Sequence, residues 1–401
     1  MERVYIVAAK RTPIGNFGGS LKSVSVGQLG ACAIKGALAA SGLAADAVDE
    51  VILGNVMGTG QGMGPGRQAS LFAGLPNTIP AYSLNMVCGS GMKTVMDGFA
   101  HIRAGEANVV IAAGAENMSQ IPFMAPASLR QGQKMGDFSL KDLLLSDGLT
   151  DVYNQYHMGV TAENIARQLE ISRERQDAFA LQSQQRAVAA LEAGVFDAET
   201  VAVEISDKRG TSLFNRDEYP KTDASQEALA SLRPAFDKQG SVTAGNASGL
   251  NDGASAIVLA SGKAVQQYGL TPLAEVIVTA QTGLDPAIMG LGPVSAVSLV
   301  LEKAGLELAE IDLLELNEAF AAQALGVVEQ LAAQHGDSVD ALLQRTNVNG
   351  GAIALGHPLG ASGNRILVTL THELKRRGAQ YGVASLCVGG GMGTAVLIRN
   401  C

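Results

Sequence analysis

The sequence predicts an α/β protein made of two similar halves, with a polar block set into the first. Three observations carry that reading. Short apolar runs alternate with runs of helical period, the pattern of a parallel α/β sheet. Between about residues 119 and 243 the chain turns more polar and loop-rich, and strand pattern returns only at Ala254 to Ala260. The last third then repeats the order of the first. The boundaries this implies are 1–118 for the first half, completed by about 244–268, then 119–243 for the inserted block and 269–401 for the second half. At ~150 residues per domain, 401 residues are enough for more than one core.

Taken in order, Met1 to Val7 opens as a strand rather than a signal peptide, with Val4 to Ala9 as its apolar run. Arg11-Thr12-Pro13-Ile14-Gly15 is a turn. Ser25 to Ala40 has helical spacing, with Leu29, Cys32, Ala33, Gly36 and Ala37 on one face, which makes Cys32 a core residue. Val51 to Leu53 is a strand, Gly54 to Gly66 a loop rich in Gly and Met, and Arg67 to Ala73 a short helix. Asn85-Met86-Val87-Cys88-Gly89-Ser90-Gly91-Met92 then joins a strand-like approach to a helical run, Met92 to Arg103. Val109 to Ala113 is a buried strand that ends in Gly114-Ala115-Glu116-Asn117-Met118.

In the polar block, Thr161 to Leu169 and Ser172 to Leu191 are helical, with Ser172 as an N-cap. Lys208, Arg209, Arg216, Lys221, Arg233 and Lys238 concentrate positive charge there, as either a solvated face or a cradle for phosphates. The repeat follows. Gly42-Leu43 to Leu53 resembles Gly305-Leu306 to Leu316, each a helix end, an acidic turn and a strand. Cys88-Gly89-Ser90-Gly91 takes the place that His357-Pro358-Leu359-Gly360-Ala361-Ser362-Gly363 takes later, and Val109 to Gly114 corresponds to Val383 to Gly389. Two such halves would bring their strand–helix junctions to a shared pseudo-twofold, and Cys88 and His357 together with them.

Composition excludes several classes. Hydrophobic residues make up 47% and charged residues 17%, so the chain is globular. A net charge of −9, no Trp and no basic stripe interleaved with aromatics exclude nucleic acid as a partner. No run approaches the ~20 apolar residues that span a bilayer, so no membrane partner is expected. The C-terminal Ile398-Arg399-Asn400-Cys401 is no peroxisomal or reticulum address. Cys32, Cys88, Cys387 and Cys401 are too scattered for a disulfide framework or a zinc site, and the expected compartment is the reducing cytoplasm. No P-loop is present.

A cysteine where a helix begins meets free N–H groups and the positive end of the dipole, which favour the reactive thiolate. Gly89 and Gly91 let a ligand approach the backbone closely. Alone, such a cysteine is more often a buried structural residue. Asn317 alone could cap a helix, His357 could be a satisfied core histidine, and Cys387-Val388-Gly389-Gly390-Gly391-Met392-Gly393 could be a strand end and turn. Their joint occurrence at corresponding junctions of a duplicated fold points to a site.

Those stretches, with Asn317-Glu318-Ala319-Phe320, Asn246-Ala247-Ser248-Gly249-Leu250-Asn251-Asp252-Gly253, Tyr156-His157-Met158-Gly159 and the run from Asn347-Val348-Asn349-Gly350-Gly351 through Gly363, resemble the thiolase family over nearly the whole chain. The nearest likeness is to its short-chain members. The resemblance implies a thiolase-like fold, with two duplicated α/β halves in a layered αβαβα arrangement, an inserted loop domain that binds CoA, and a homotetramer. It implies acyl-CoA and CoA as partners, no metal, and no cofactor, CoA being substrate and product. It also implies a ping-pong, reversible Claisen condensation of two acetyl-CoA to acetoacetyl-CoA and CoA through an acetyl-cysteine.

On that resemblance Cys88 is the nucleophile. His357 accepts its proton and later helps protonate the leaving CoA. Cys387 is the base at the α-carbon. One oxyanion falls to His357 with a water held by Asn317, and the other to the backbone N–H groups of Cys88 and Gly389. His157, Met158, Lys221, Ser248, Met289, Ala319 and Phe320 match positions lining the CoA and acyl tunnel. Lys221 stands where relatives often carry Arg, and a Lys presents no planar guanidinium for stacking. Ala332 to Arg345 reads as a surface insertion.

Three other readings compete. A broader-chain 3-ketoacyl-CoA thiolase is countered by His157, Met158 and Met289, whose bulk would close the acyl pocket. Decarboxylating ketoacyl synthases pair one Cys with two His, and Asn317 stands where one of those would be. A non-catalytic CoA- or lipid-binding relative is countered by the presence of all four catalytic residues.

Overall fold

A computed structural model of the chain describes residues 2–208 and 210–401. Met1 and the basic Arg209 lie outside the described residues. The main sheet is built from β1 (Val4–Arg11), β2 (Glu50–Gly54), β3 (Ala81–Leu84), β4 (Val109–Asn117), β5 (Asn251–Ser261), β6 (Ala274–Gly283), β7 (Leu313–Leu316), β8 (Tyr381–Val388) and β9 (Met392–Asn400). The helices that matter for the site are α1 (Val26–Ser41), α2 (Ser90–Ala104), α3 (Met158–Gln168), α4 (Arg173–Glu192), α5 (Gly292–Ala304), α6 (Ala321–His335) and α7 (Leu359–Arg377).

Along the sheet the order is β7-β8-β9-β6-β1-β5-β4-β2-β3. The centre is the antiparallel pair β1 and β6, where Val4–Ile6 faces Val276–Ala274. Outward from that pair the two halves repeat. Next to the centre, β1·β5 and β6·β9 are antiparallel, and each carries a register shift, between Ile6 and Ala8 and between Val276 and Val278. Then β4 and β8 return antiparallel, and β2 and β7 add in parallel. The acidic turns are duplicated atom for atom. Asp49 Oδ2 accepts from the N–H of Asn108 and Val109, and Asp312 Oδ2 accepts from the N–H of Gln380 and Tyr381.

The alternation of elements predicts a parallel sheet, and the sheet is mixed. In neither half does the antiparallel strand arrive by a crossover: β9 turns straight back from β8 over residues 389–391, and β5 returns after the inserted block. That block carries the chain away after β4 and returns it as β5 between β1 and β4, antiparallel to both. A strand entering from a separate block is not bound to the crossover geometry that makes neighbours parallel.

The layers follow from which faces are apolar. Strands of both halves and both of the helices α2 and α7 share one core, with Met92, Val95 and Phe99 packed with Ile366, Leu367 and Leu370 between Ile257 and Val396. Helix α1 covers the outer face of the first half through Leu29, Ala33 and Ile34. Helices α5 and α6 cover the outer face of the second half through Val297, Val300, Val327 and Leu331. The arrangement is α, β, α, β, α, with α2 and α7 innermost. By length and apolar composition the segment Pro286–Ala304 could cross a membrane. Here it is broken by non-helical backbone at Ile288, and its α5 part packs on the sheet.

Two expectations are corrected. Cys32 is half-buried rather than central, and its thiol donates to the carbonyl of Ala202 (3.3 Å), because the face of α1 that carries it meets the inserted block. The segment Ala332–Arg345 is not a free surface insertion. It ends α6, turns, and forms a short helix, Val339–Arg345, whose Leu342 is buried with Ala332 and Leu331 in the second half's outer core.

The inserted block binds both halves. Ile165, Ile171 and Phe179 pack with Ala321, Leu325 and Ile353 of the second half. In the first half, the buried Arg11 donates from Nε to Glu199 Oε1 (2.5 Å) and from both Nη atoms to the two oxygens of Asp217 (2.7 and 2.9 Å). All three side chains are buried. Breaking a buried pair leaves an uncompensated charge, which costs about 3–5 kcal/mol. Arg11→Ala strands two carboxylates, so urea unfolding followed by circular dichroism is expected to show a loss of that order. A loss under about 1 kcal/mol would mean that water reaches the pair.

Candidate active site

Cys88 sits on a sharp turn from β3 into α2. The turn forces Val87, a β-branched residue, to a φ of 47°, which is strained for any residue with a Cβ. Three hydrogen bonds hold it. Val87 N–H donates to Asn85 Oδ1 (2.9 Å), Ser90 Oγ donates to Val87 O (2.6 Å), and Met86 N–H donates to Ser90 Oγ (2.8 Å). The thiol is thereby lifted out of the strand at the mouth of a helix, the geometry of a strand–turn–helix elbow.

His357 follows Gly356, whose φ of 106° admits only glycine with ease. Its N–H donates to Asn251 Oδ1 (3.0 Å), and Asn251 Nδ2 donates to Gly15 O (3.0 Å). The imidazole is fixed by Ser362, five residues on. Ser362 Oγ lies 2.9 Å from Pro358 O and 2.6 Å from His357 Nδ1. A hydroxyl has one proton. The carbonyl can only accept, so the hydroxyl proton goes to Pro358, and Nδ1–H must donate to the Oγ lone pair. The neutral ring therefore carries its lone pair on Nε2, which faces the cavity, 3.4 Å from Asn317 Nδ2. This assignment rests on the hydrogen-bond chain. Burial, seconded by the positive charge of Arg365, pushes the His357 pKa down to about 3, so the ring is a neutral base at pH 7.

One cavity of about 340 Å³ gathers Cys88, His357, Cys387 and Gly389 with His157, Met158, Ser248, Met289, Ala319 and Phe320. Its lining is mainly apolar. Met289, Phe320 and Ala319 pack directly with Cys387, and Met158 and Phe236 lie against them. This environment reverses one sequence expectation. A thiol at a helix start is expected to ionise easily, yet burial pushes Cys88 up to about 11. The backbone N–H groups of Gly389 and of Cys88 itself act to lower it, and the carboxylate of Glu116 adds to the rise. Burial also raises Cys387, and negative charge on Cys88 raises it further. For Cys88, partly exposed and packed against Met57, Met118 and Leu359, desolvation outweighs a dipole that is felt only over the first turn.

The remaining sequence-predicted residues fall into place around this group. Asn317 is buried behind His357, and among the described residues its Oδ1 has no protein partner. The neighbouring Glu318 accepts from Ser183 Oγ (2.7 Å), Asn347 Nδ2 (2.8 Å) and Ile353 N–H (3.3 Å), which ties α4 to the loop before His357. The Asn246–Asp252 stretch runs beside Ala319–Ala321. Ser248 N–H donates to Ala319 O and Ala321 N–H donates to Asn246 O. His157 caps α3, its Nδ1 accepting from Gly159 N–H (3.0 Å), and its ring stacks on Phe236 at 4.4 Å.

Lys221 is not in the cavity. It lines an outer groove that shares Tyr219, Gly249 and Leu250 with the cavity, so it stands at the entrance. The other basic residues do not gather there. Lys208 lies at the turn of the hairpin Val203–Phe214, and Arg216, Arg233 and Lys238 are exposed.

Sequence reading missed Ser362, Tyr219 and Phe236. Ser362 had a signal, one helical turn past a histidine that a proline follows. Phe236 is one of several aromatics in the polar block, and no local pattern marks it out. Among the described residues no three His, Cys, Asp or Glu side chains stand close enough to hold a metal ion.

The chain matches two family descriptions, "Thiolase, N-terminal domain" over residues 4–263 and "Thiolase, C-terminal domain" over residues 270–400. An acetyl-CoA acetyltransferase of Chromobacterium violaceum is 54% identical over 398 residues, covering 99% of each chain. One from Escherichia coli strain K12 is 50% identical over 400 residues and covers 100% of both. Among solved structures, the Bacillus anthracis acetyl-CoA acetyltransferase superposes with a TM-score of 0.96 at 44% identity, over 100% of this chain and 99% of that one. Human mitochondrial 3-ketoacyl-CoA thiolase in complex with CoA superposes at 0.93 with 45% identity, over 100% and 98%.

The ring nitrogens of His357 give a direct test. In nitrogen-15 NMR of histidine-labelled protein, His357 is expected to show the Nδ1–H tautomer and no titration between pH 5 and 8, since protonation waits until about pH 3. Ser362→Ala removes the acceptor at Nδ1. It is expected to mix the tautomers and to slow Cys88 alkylation about tenfold or more. An unmixed tautomer in a folded Ser362→Ala would remove Ser362 from this role.

Proposed function

The chain belongs to the thiolase family, and from that premise we infer what its cavity does. It is an acyltransferase, an acetyl-CoA acetyltransferase, which joins two acetyl-CoA into acetoacetyl-CoA and CoA and runs in reverse as thiolysis. The observation that carries this is two thiols, Cys88 and Cys387, in one small apolar cavity with a neutral imidazole.

On this reading the protons balance as follows. Cys88 gives its proton to His357 Nε2 and attacks the thioester carbonyl. The oxyanion meets the backbone N–H groups of Cys88 and Gly389, donors worth about 3–4 kcal/mol each when aimed at developing charge. The C–S bond to CoA breaks, and CoA leaves with the proton from His357. A second acetyl-CoA enters. Cys387, its proton passed to His357, takes a proton from the α-carbon. The resulting enolate oxygen faces His357 Nε2–H and a water on Asn317 Oδ1. The carbanion attacks the acetyl group on Cys88, acetoacetyl-CoA departs, and Cys88 regains its proton from His357. Both thiols are held protonated at rest by burial, so each is activated only while the next proton acceptor is in place.

Met158 and Met289 wall the cavity beside Cys387, which supports a short acyl group. His157, Ser248, Ala319, Phe320 and the entrance residue Lys221 would hold the CoA arm. The 1–118, 119–243 and 269–401 division serves this reading, the block between the halves supplying the CoA side. CoA is substrate and product, so no resident cofactor or metal is called for. Four free cysteines suit a cytoplasmic setting. A homotetramer is supported by exposed Phe123, Met124, Met135, Phe138 and Leu140 on one arm of the inserted block, more apolar surface than scattered single residues leave. Light scattering that returns a monomer's mass, 41.2 kDa, would remove it.

The division of labour between the sulfurs is the decisive test. Acyl transfer to Cys88 needs no base at carbon, whereas condensation does. A general base contributes ~10²–10⁴-fold. Cys387→Ala is expected to take up one acetyl group by intact mass while acetoacetyl-CoA synthesis falls by that factor. Cys88→Ala is expected to lose both. A folded Cys387→Ala that condenses at near the parent rate refutes the assignment. Thiolysis rates across 3-ketoacyl chain lengths, falling steeply beyond four carbons, separate this reading from a broad-chain thiolase.

A further inference from the structure

The duplication has a second junction. At the catalytic one, the start of α2 (Cys88, Gly89) in the first half meets the end of β8 (Cys387 to Gly389) in the second. The pseudo-twofold exchanges the roles, so the start of α7 in the second half must meet the end of β4 in the first. It does. The acidic turns pair Val109 with Tyr381, two residues before the Val383 that the sequence sets against it; seven residues on stand Glu116 and Val388, and Glu116 lies against Gly360 at the start of α7.

The twin junction is filled from within. Glu116 is fully buried. Its Oε1 accepts from Asn55 Nδ2 (2.9 Å) and Met57 N–H (3.2 Å), and its Oε2 accepts from Val56 N–H (3.0 Å) and Gly360 N–H (2.9 Å). Three backbone N–H groups, one at a helix start, make the kind of nest that binds an anion. In the other half the counterparts of Val56 and Met57 are Ala319 and Phe320, whose N–H groups point at the side-chain oxygen of Gln323 (3.1 and 3.5 Å). In the first half the Glu116 carboxyl group takes up the N–H groups of Val56 and Met57, its pKa lifted to about 7 by burial against the pull of its four donors. Pro358, the N-cap of α7, makes no side-chain capping bond, so Glu116 supplies the missing cap.

Both of the carboxylate's attachments lead to the site. Val56 O accepts from Asn85 Nδ2 (3.0 Å), and Asn85 Oδ1 accepts from Val87 N–H (2.9 Å), the residue whose strained φ presents Cys88. On the other side, Gly360 is three residues past His357 and belongs to the same first turn as Pro358 and Ser362, which set the imidazole. The spacing is tight, since a Cβ on Gly360 would lie 2.7 Å from Ala115 O and 2.8 Å from Glu116 Oε2.

We propose that Glu116 is a positioning residue for the reaction, a buried carboxyl group at the twin of the catalytic junction that fixes the Cys88 turn against the His357 turn. The role rests on the acyltransferase reading above. Glu116 touches no reacting atom and acts through Val56, Asn85 and Val87 on one side and Gly360 on the other.

Glu116→Gln tests it in the full-length protein. Gln has the same shape but offers one oxygen, so two of the four donors meet an NH₂ group. A small displacement of reacting groups costs about 10²-fold. The expected result is a fall of about 10- to 100-fold in both kcat and the rate of Cys88 alkylation by iodoacetamide, with the KM for acetyl-CoA within about twofold. The proposal is overturned if a folded Glu116→Gln keeps kcat and alkylation within about threefold of the parent, if KM rises while kcat holds, or if kcat falls without alkylation. If Glu116→Gln does not fold, Asn85→Ala removes the bridge from Val56 to Val87 and leaves the four bonds to Glu116 in place. A tenfold slower alkylation then supports the proposal, and an unchanged rate overturns it. Alkylation needs no CoA, so it reads the turn even if the parent protein makes no acetoacetyl-CoA, an outcome that would instead defeat the functional reading.

Discussion

The structure depends on how closely two helix starts approach one another. At the pseudo-twofold, α2 and α7 meet through glycines. A Cβ on Gly91 would lie 2.8 Å from Asn364 N and Gly360 O, and one on Gly363 would lie 2.6 Å from Met92 N. Real side chains do not tolerate such distances, so these positions admit only hydrogen. The contact brings the N-terminal ends of two helices, each carrying partial positive charge, into one small volume. Like dipole ends do not gather without a reason, and each is answered by an oxygen acceptor. One end has the buried Glu116 carboxyl group, which accepts from Gly360 N–H. On the proposed mechanism the other meets the oxyanion that forms on the acyl group. The asymmetry between the two junctions is what makes a duplicated fold into a single site.

Burial sets the chemistry more than the dipole does. Cys88 lies at a helix start, yet its thiol stays protonated, because removing a sulfur anion from water costs more than the first-turn N–H groups return. The same apolar wall raises Cys387 and lowers His357. All three groups are therefore neutral at rest at pH 7. A cavity with no resident ion has no strong counterion to strip away when a neutral thioester arrives. Charge exists only between proton transfers, and the backbone donors are already oriented for it. The placement of Arg365 fits this arrangement. Its buried cation adds to the fall in the His357 pKa. It keeps the imidazole a base rather than an acid until a thiol proton is delivered.

Much of this was legible in the sequence, for physical reasons that can be named. The duplicated acidic turns are visible because Asp49 and Asp312 each cap two N–H groups, a task that fixes residue type and spacing. Cys88, His357 and Cys387 are visible because the glycines around them serve close approaches and leave a pattern. Ser172 is visible as a cap because a short polar side chain before a helical run has few other uses. What could not be read has equally definite causes. The mixed sheet depends on where β5 re-enters, and nothing in the local period of Asn251–Ser261 states its direction. The rise in the Cys88 pKa comes from burial among groups such as Met57, Met118 and Leu359, which come from distant parts of the chain. Phe236 reaches the site only because α3 presents His157 to it. Lys208, Arg216, Arg233 and Lys238 looked like one charged group because they are near in sequence, but the hairpin and loops disperse them.

The inserted block explains why the two halves hold one geometry. Sheet continuity through β1 and β6 covers only three residue pairs, Val4–Ile6 with Val276–Ala274, which leaves a short seam. The block bridges that seam from the side. Its Glu199 and Asp217 grip Arg11 in the first half, while Ser183 holds Glu318 and Arg186 donates to the carbonyls of Thr346 and Asn347 in the second. Glu199 also accepts from Thr369 on α7 (3.1 Å), so one carboxylate joins β1 to the helix that carries Ser362. These contacts are polar, buried and directional. An apolar interface of the same area would resist separation but would permit sliding. For a site whose two sulfurs and one imidazole come from opposite halves, sliding is the motion that must be prevented, and a directional network across the seam is the physical means of preventing it.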